Sequence, residues 1–212
     1  MSKSMKFSGR VAAAVGVPLI AAVTTLGLAA PHADAQTVEP AAKGKVVAKI
    51  GLSSRSAPST HAPKSGAGYA KGDVINIDCK LKGTTVSGNK LWYKVHGKQR
   101  WVSARYVENV GAAPRECYLH MGTYTKTTAP LSIRQGPSTA DTRTGSVKKG
   151  KRVIAWCKVQ SQSVHGNRTW YYGARDTNDG FSDFGWVSGK YLKYDDVLNG
   201  KIGYECNFPA PK

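Results

Sequence analysis

The chain has 212 residues, with 31 lysines and arginines against 13 aspartates and glutamates, a formal net charge of +18. A surplus of that size favours anionic polymers and membrane surfaces as partners. The basic residues are nevertheless spread along the chain without a long run, which argues against a dedicated polyanion site, and no segment beyond residue 35 is apolar enough to cross a bilayer.

In chain order, Lys3, Lys6 and Arg10 precede an uncharged apolar stretch, 11–30, and Ala33-Asp34-Ala35 supplies the small-x-small pattern that signal peptidases cut. Residues 1–35 therefore read as a secretory signal peptide. Twenty apolar residues could also serve as a retained anchor, but the adjacent cleavage pattern favours export. Without Lys3, Lys6, Arg10 and Asp34 the remainder keeps 28 basic and 12 acidic side chains, a net charge of about +16. Export removes intracellular nucleic acid, the usual partner of so basic a composition.

Residues 36–45 read as a short flexible linker, and a first unit follows over 46–117. Its predicted strands are Val46–Ile50, Val74–Ile77, Leu91–Val95 and Arg100–Val102, separated by a loop rich in Ser, Ala, Pro and Gly and by turns at Gly83, Gly88-Asn89 and Gly97. Apolar spacing of helical period is missing. Many short strands with frequent turn signals predict an all-β chain of small barrels or sandwiches.

The central stretch of this unit returns. Residues 71–94, KGDVINIDCKLKGTTVSGNKLWYK, recur at 149–172 as KGKRVIAWCKVQSQSVHGNRTWYY, a constant offset of 78. LSSRSAPST (52–60) pairs with LSIRQGPST (131–139), and WVSARYV (101–107) with WVSGKYL (186–192). The chain is two copies of one unit, the second spanning 118–206 with a tail at 207–212. Units of about 70 residues bury little core and need staples. Cys79 and Cys157 hold the same place in the repeat, while Cys117 and Cys206 each follow a Glu past the closing phrase of their own copy. Symmetry favours Cys79–Cys117 and Cys157–Cys206 over the main competitor, a Cys79–Cys157 link. No C-x-x-C or Cys/His ligand spacing suggests a metal.

The order L-S-x-R-x-x-P-S-T, K-G, G-N-x-x-W-Y and W-V-S-x-x-Y-[LV] resembles the bacterial Src-homology-3-like (SH3-like, SH3b) domain family over nearly all of 46–107 and 123–192. Ala57 in the first copy stands where the second has Gly136. The resemblance implies two tandem five-stranded barrels, usually exported, many of them targeting modules that contact peptidoglycan. It also implies a shallow aromatic groove lined by Trp92 and Tyr106 in copy one and by Trp170 and Tyr191 in copy two. Aromatic side chains with a polar handle suit a half-exposed contact with sugar or peptide. Period-two alternation, however, sends one of Trp92 and Tyr93 into the core without saying which. Trp101 and Trp186 read as core. Arg55 and Arg134 lie in equivalent loops, where a guanidinium can pair with a carboxylate or phosphate or simply remain solvated.

Between Trp170 and Trp186 the second copy has seven more residues than the first has between Trp92 and Trp101. The inserted loop, 173–185, carries Asp176, Asn178, Asp179 and Asp183, oxygen ligands of the kind calcium takes. Its spacing departs from D-x-[DN]-x-[DN]-G, so it reads foremost as an acidic hairpin tip. His61, His96, His120 and His165 fall in loops, two disulfides would leave no cysteine nucleophile, and paired carboxylates of the glycosidase kind are missing. The expectation is a secreted non-enzyme without metal or cofactor that binds peptidoglycan or another anionic wall polymer, two weak sites gaining avidity on one chain. The alternative is a module or inhibitor that recognises another secreted protein. Nucleic acid is not an expected partner, and a membrane-active role would need an amphipathic helix that the sequence lacks.

Overall fold

The computed structural model describes residues 42–117, 122–193 and 204–207. The expected signal peptide, residues 36–41 of the linker, His120 and the tail beyond 207 lie outside the described residues. The described chain is all-β: thirteen strands in two sheets and two single-turn 3-10 helices. None of its helices is long and apolar enough to cross a membrane.

In the first repeat, β1 (Ala42–Val46), β2 (Val74–Val86), β3 (Asn89–Val95), β4 (Trp101–Ser103) and β5 (Val107–Val110) form a sheet in the order β4-β3-β2-β1-β5. The first strand corrects the expected boundaries, for it occupies residues read as linker and ends at Val46. Val47 is 41% exposed and Ile50 fully so. Poor in large apolar residues, Ala42-Lys43-Gly44-Lys45 is a strand because β2 and β5 pair with it on either side. Gly44 permits the approach, since a Cβ there would lie 2.3 Å from Val107 Cγ1 and 2.9 Å from Ile77 Cδ1.

The second repeat contains β6 (Thr123–Thr127), β7 (Leu131–Arg134), β8 (Arg143–Val147), β9 (Arg152–Val164), β10 (Asn167–Thr177), β11 (Gly180–Ser188), β12 (Leu192–Lys193) and β13 (Tyr204–Glu205). Its sheet runs β12-β6-β9-β10-β11-β7-β8, with β13 parallel to β9. The connectivity is that of the first repeat. Where β7 pairs with β8 and β11, the first repeat has bridges Leu52–Tyr69, Arg55–Lys64 and Arg55–Trp101, and where β13 pairs with β9 it has the parallel bridge Lys80–Glu116. In both, the two long strands turn through a residue at positive φ followed by glycine, Ser87-Gly88 (44° and 82°) and His165-Gly166 (47° and 85°). That conformation matches the strand twist of a two-residue hairpin.

Each repeat has a core of its own. Val46, Ile75, Ile77, Tyr93, Val95 and Val102 pack in the first, and Leu131, Ile133, Val153, Ala155, Tyr171 and Val187 in the second. A third cluster joins the repeats: Cys79, Leu81, Trp92, Trp101 and Cys117 from one side, and Cys157, Val159, Trp170, Tyr172, Trp186 and Cys206 from the other. One bulge per repeat makes this possible. In β2, Ile77 lies opposite Val95 while Cys79 lies opposite Lys94, so Asp78 is the extra residue. In β9, Ala155 lies opposite Gly173 and Cys157 opposite Tyr172, so Trp156 is the extra one. A one-residue slip turns the following side chains to the other face of the sheet. Ile75 and Ile77 therefore serve the first repeat's own core, and Cys79 and Leu81 the shared cluster. On β3 ordinary alternation puts Trp92 and Tyr93 on opposite faces, and both are buried, at 2% and 5% exposure, because the shared cluster covers one face and the first repeat's own core the other.

Polar contacts seal the junction. Trp186 Nε1 donates to the carbonyl of Lys82 at 3.1 Å. The carboxylate of Asp141, fully buried, takes the Ser59 hydroxyl at 3.0 Å, His61 Nδ1 at 2.6 Å and the Thr84 hydroxyl at 3.4 Å, all from the other repeat. Close backbone approach is also needed nearby, for a Cβ on Gly83 would meet the Pro58 carbonyl oxygen at 2.0 Å.

Disulfides join Cys79 to Cys117 and Cys157 to Cys206, one in each repeat, the pairing that repeat symmetry favours, and they fit an oxidising compartment. They close loops of 38 and 49 residues, a constraint on the unfolded chain of about 4 kcal/mol each. Replacing Cys79 and Cys117 together by serine should lower the stability read from denaturant unfolding by about 4 kcal/mol, and an unchanged midpoint would contradict this assignment. Asp141→Ala leaves buried donors without an acceptor and should cost about 2–3 kcal/mol. A thermal scan of that variant unchanged from the parent would show that the junction contributes nothing.

Candidate functional site

A cleft of about 260 Å³ opens on the second repeat, lined by Pro130, Leu131, Ser132, Arg134, Thr139, Val164, His165, Trp170, Ser188 and Tyr191. Each wall has a structural cause. Tyr191 ends the 3-10 turn Gly189–Tyr191, whose start is capped by the Ser188 hydroxyl accepting from the Lys190 N–H at 3.3 Å. His165 is fixed by the β9–β10 hairpin turn, and its ring stands edge-on to Tyr191 at 6.4 Å. The loop carrying Thr139 is pinned by Gln162, whose Oε1 accepts from the Ser138 hydroxyl (2.9 Å) and from the Thr139 N–H (2.7 Å) and hydroxyl (2.8 Å). Arg134, on β7, donates from Nη1 to the Asp141 carbonyl at 2.8 Å.

Three of the candidate residues read from the sequence, Trp170 and Tyr191 through the resemblance and Arg134 through its place in the repeat, thus meet at one cleft. Trp170 is only 1% exposed and its indole N–H is satisfied by the Gln162 carbonyl at 2.8 Å. The half-buried tyrosine, the histidine and the guanidinium are the groups that can respond to a ligand. An aromatic wall and a fork of N–H donors in one concavity can hold a ring or aliphatic stem beside a carboxylate or carbonyl.

Their counterparts in the first repeat are deployed differently. Trp92 belongs to the shared cluster and donates to the Thr84 carbonyl at 2.9 Å. Tyr106 packs, half-buried, against the first repeat's own core. Arg55 donates to the Ala62 carbonyl at 2.7 Å, and desolvation lowers its pKa from the ordinary arginine value. Ser87 stands where the second repeat has His165.

A second concavity, of about 360 Å³, is lined by Asp78, Lys94, His96, Gly97, Lys98, Gln99 and Asn207. It lies beside the bulge of β2. The amine of Lys94, on β3, donates to the Lys98 carbonyl at 2.6 Å and lies 3.9 Å from Asp78, which also binds His96 Nδ1 at 2.5 Å. Burial lowers the pKa of Lys94, with Asp78 and Glu205 opposing it; burial raises that of Glu205, with Lys158 and Lys94 opposing it. The C-terminal strand beside these charges is held by its parallel pairing with β9 and by the Cys157–Cys206 disulfide.

The inserted loop is an ordered hairpin formed by the ends of β10 and β11. Asp176 pairs with Arg152 at 2.5 Å and Asp183 with Arg175 at 2.8 Å, so these carboxylates are answered by arginines rather than gathered around a common point. Among the described residues no group of three His, Cys, Asp or Glu side chains converges as metal ligands. Nor do Ser59, His61 and Asp141 form a nucleophile relay, for both the hydroxyl and the imidazole bond to the carboxylate. Sequence motifs do not single out the aromatic residues flanking this hairpin, Tyr124, Trp156, Phe181 and Phe184. Their signal is that the first copy has Lys43 and Asp78 where the second has Tyr124 and Trp156, and lacks the insertion that carries Phe181 and Phe184.

No protein-family model matches the chain. No curated protein matches it either. Among solved structures, NlpC2 from Trichomonas vaginalis is similar at 15% identity and a TM-score of 0.27, the match covering 73% of this chain and 48% of that one. The chain therefore spans about half the length of that protein, and a likeness of this degree supports no conclusion about function.

Proposed function

We propose that the protein is a secreted, non-enzymatic, tandem SH3-like binding protein that associates with the bacterial cell wall through the cleft of its second repeat. The observation that carries this reading is the convergence of Tyr191, His165 and Arg134 at one concavity built on ordered strands. Arg134 spends one N–H on the Asp141 carbonyl and retains further donors for a carboxylate. Peptidoglycan offers both parts such a cleft accommodates, sugar or alkyl surface for the rings and peptide carboxylates for the guanidinium. The apolar leader at 11–30, the two disulfides and the motif resemblance agree with export.

Duplication then acts differently from two tethered sites. The first repeat covers the face of the second that carries Trp170 and Trp186, so it supports a single contact surface. The net charge, about +16 without residues 1–35, speeds encounter with anionic wall polymers without specifying the site. The mature chain, 36–212, should sediment with purified sacculi stripped of anionic polymers and stay bound at about 0.5 M salt, where surface charge is screened. Tyr191→Ala and Arg134→Ala should each weaken that retention by about tenfold. Binding that vanishes with salt or with removal of the polymers would mean that net charge alone does the holding.

A further inference from the structure

The largest exposed aromatic surface among the described residues lies away from the cleft. Phe184 is 54% exposed, Tyr124 45% and Phe181 40%. They are continuous through Trp156, which stacks on Phe184 at 5.6 Å with planes 3° apart and meets Phe181 edge-on at 5.9 Å; Phe181 and Tyr124 lie 6.2 Å apart. Protein folding alone does not call for this surface. Trp156 is the extra residue of the β9 bulge, a device that re-aims a side chain. Its counterpart in the first repeat is Asp78, the counterpart of Tyr124 by strand register is Lys43, and Phe181 and Phe184 belong to the insertion that only the second repeat carries.

The charges at the edge decide the ligand. In a chain of net charge +18, the arginines bordering the rings are neutralised in pairs, Arg152 with Asp176 and Arg175 with Asp183. Arg152 also lies over the Tyr124 ring at 5.2 Å. A polyanion gains nothing from paired cations. A pyranose with equatorial hydroxyls fits instead: its C–H face stacks on a ring, and its hydroxyls both donate to a carboxylate and accept from a guanidinium. The rings are stacked or tilted on one another about 6 Å apart, and together they leave one exposed apolar surface on which a sugar's C–H face can rest.

We propose that Tyr124, Trp156, Phe181 and Phe184 form a platform for an uncharged β-linked glycan, a site separate from the cleft and independent of the cleft's assignment. The test is sedimentation of the full mature chain with insoluble chitin and with cellulose at about 0.5 M salt, with titration by soluble chitohexaose read from tryptophan fluorescence. Retention on at least one polymer is expected, lost by about tenfold or more in Phe184→Ala and in Phe181→Ala. Both positions are exposed, and circular dichroism and the melting temperature check that each variant folds. No retention on either polymer, equal retention by both variants, or loss in Tyr191→Ala but not in Phe184→Ala would overturn the platform. So would a dimer of the parent chain, measured by light scattering, that Phe184→Ala dissolves, because the surface would then be covered by a second copy.

Discussion

Four tryptophans, two from each repeat, are buried in one cluster, and the rest of the structure depends on that burial. Trp92, Trp101, Trp170 and Trp186 are each exposed by 2% or less. Removing an indole of this size from water is worth about 4–6 kcal/mol, comparable with each disulfide, so a repeat standing alone would expose more apolar surface than its own small core offsets. One extra residue in β2 and one in β9 turn Cys79, Leu81, Cys157 and Val159 to the face that carries these tryptophans. Along each long strand, the half before the bulge supplies the repeat's private core, and the half after it supplies the common one. The disulfides reinforce the same place, for all four cysteines belong to the shared cluster.

This constraint also explains why equivalent residues do different work. Trp92 and Trp170 are both spent on the junction, so aromatic character alone does not make a binding site. The second repeat gains its cleft from what surrounds its tryptophan: the histidine at the hairpin turn, the glutamine that pins the loop over it, and the tyrosine of the 3-10 turn. At the bulge itself the repeats diverge fully. Asp78 enters a network with Lys94 and His96, whereas Trp156 joins an aromatic surface. A conformation needed for packing has thus been put to two further uses.

Much of the fold was legible in the sequence. Alternation over Val74-Ile75-Asn76-Ile77, the Gly-Asn turns and the repeat phrases mark the strands and their order, and the symmetric cysteines indicate their own pairing. β1 escaped because its residues are small or charged and its strand state comes from its neighbours, through Gly44 against Ile77 and Val107. The shared core escaped for a different reason. Alternation assigns one face inward and one outward, and neither a bulge nor a partner repeat covering the outward face leaves a local mark. Hence the choice between Trp92 and Tyr93 had no answer in the sequence, because both are buried. In the candidate site, Trp170, Tyr191 and Arg134 were visible through their motifs, while His165 was hidden behind a serine at the matching position of the first copy. The aspartates of the insertion drew attention to metal chemistry, although the arginines that answer them, Arg152 and Arg175, stand on the strands next to theirs.

Hydrogen exchange at the tryptophan indoles, followed by NMR on the oxidised chain, tests the shared core most directly. Trp186 gives its indole proton to the Lys82 carbonyl of the other repeat, whereas Trp92 and Trp170 give theirs within their own repeats. If the repeats fold as one body, all three protons exchange only through global unfolding and share one protection factor. A Trp186 proton that exchanges faster than the other two by a hundredfold or so, about 2.7 kcal/mol, would mean that the repeats part while each stays folded, and the tryptophan cluster would then not be what the fold depends on.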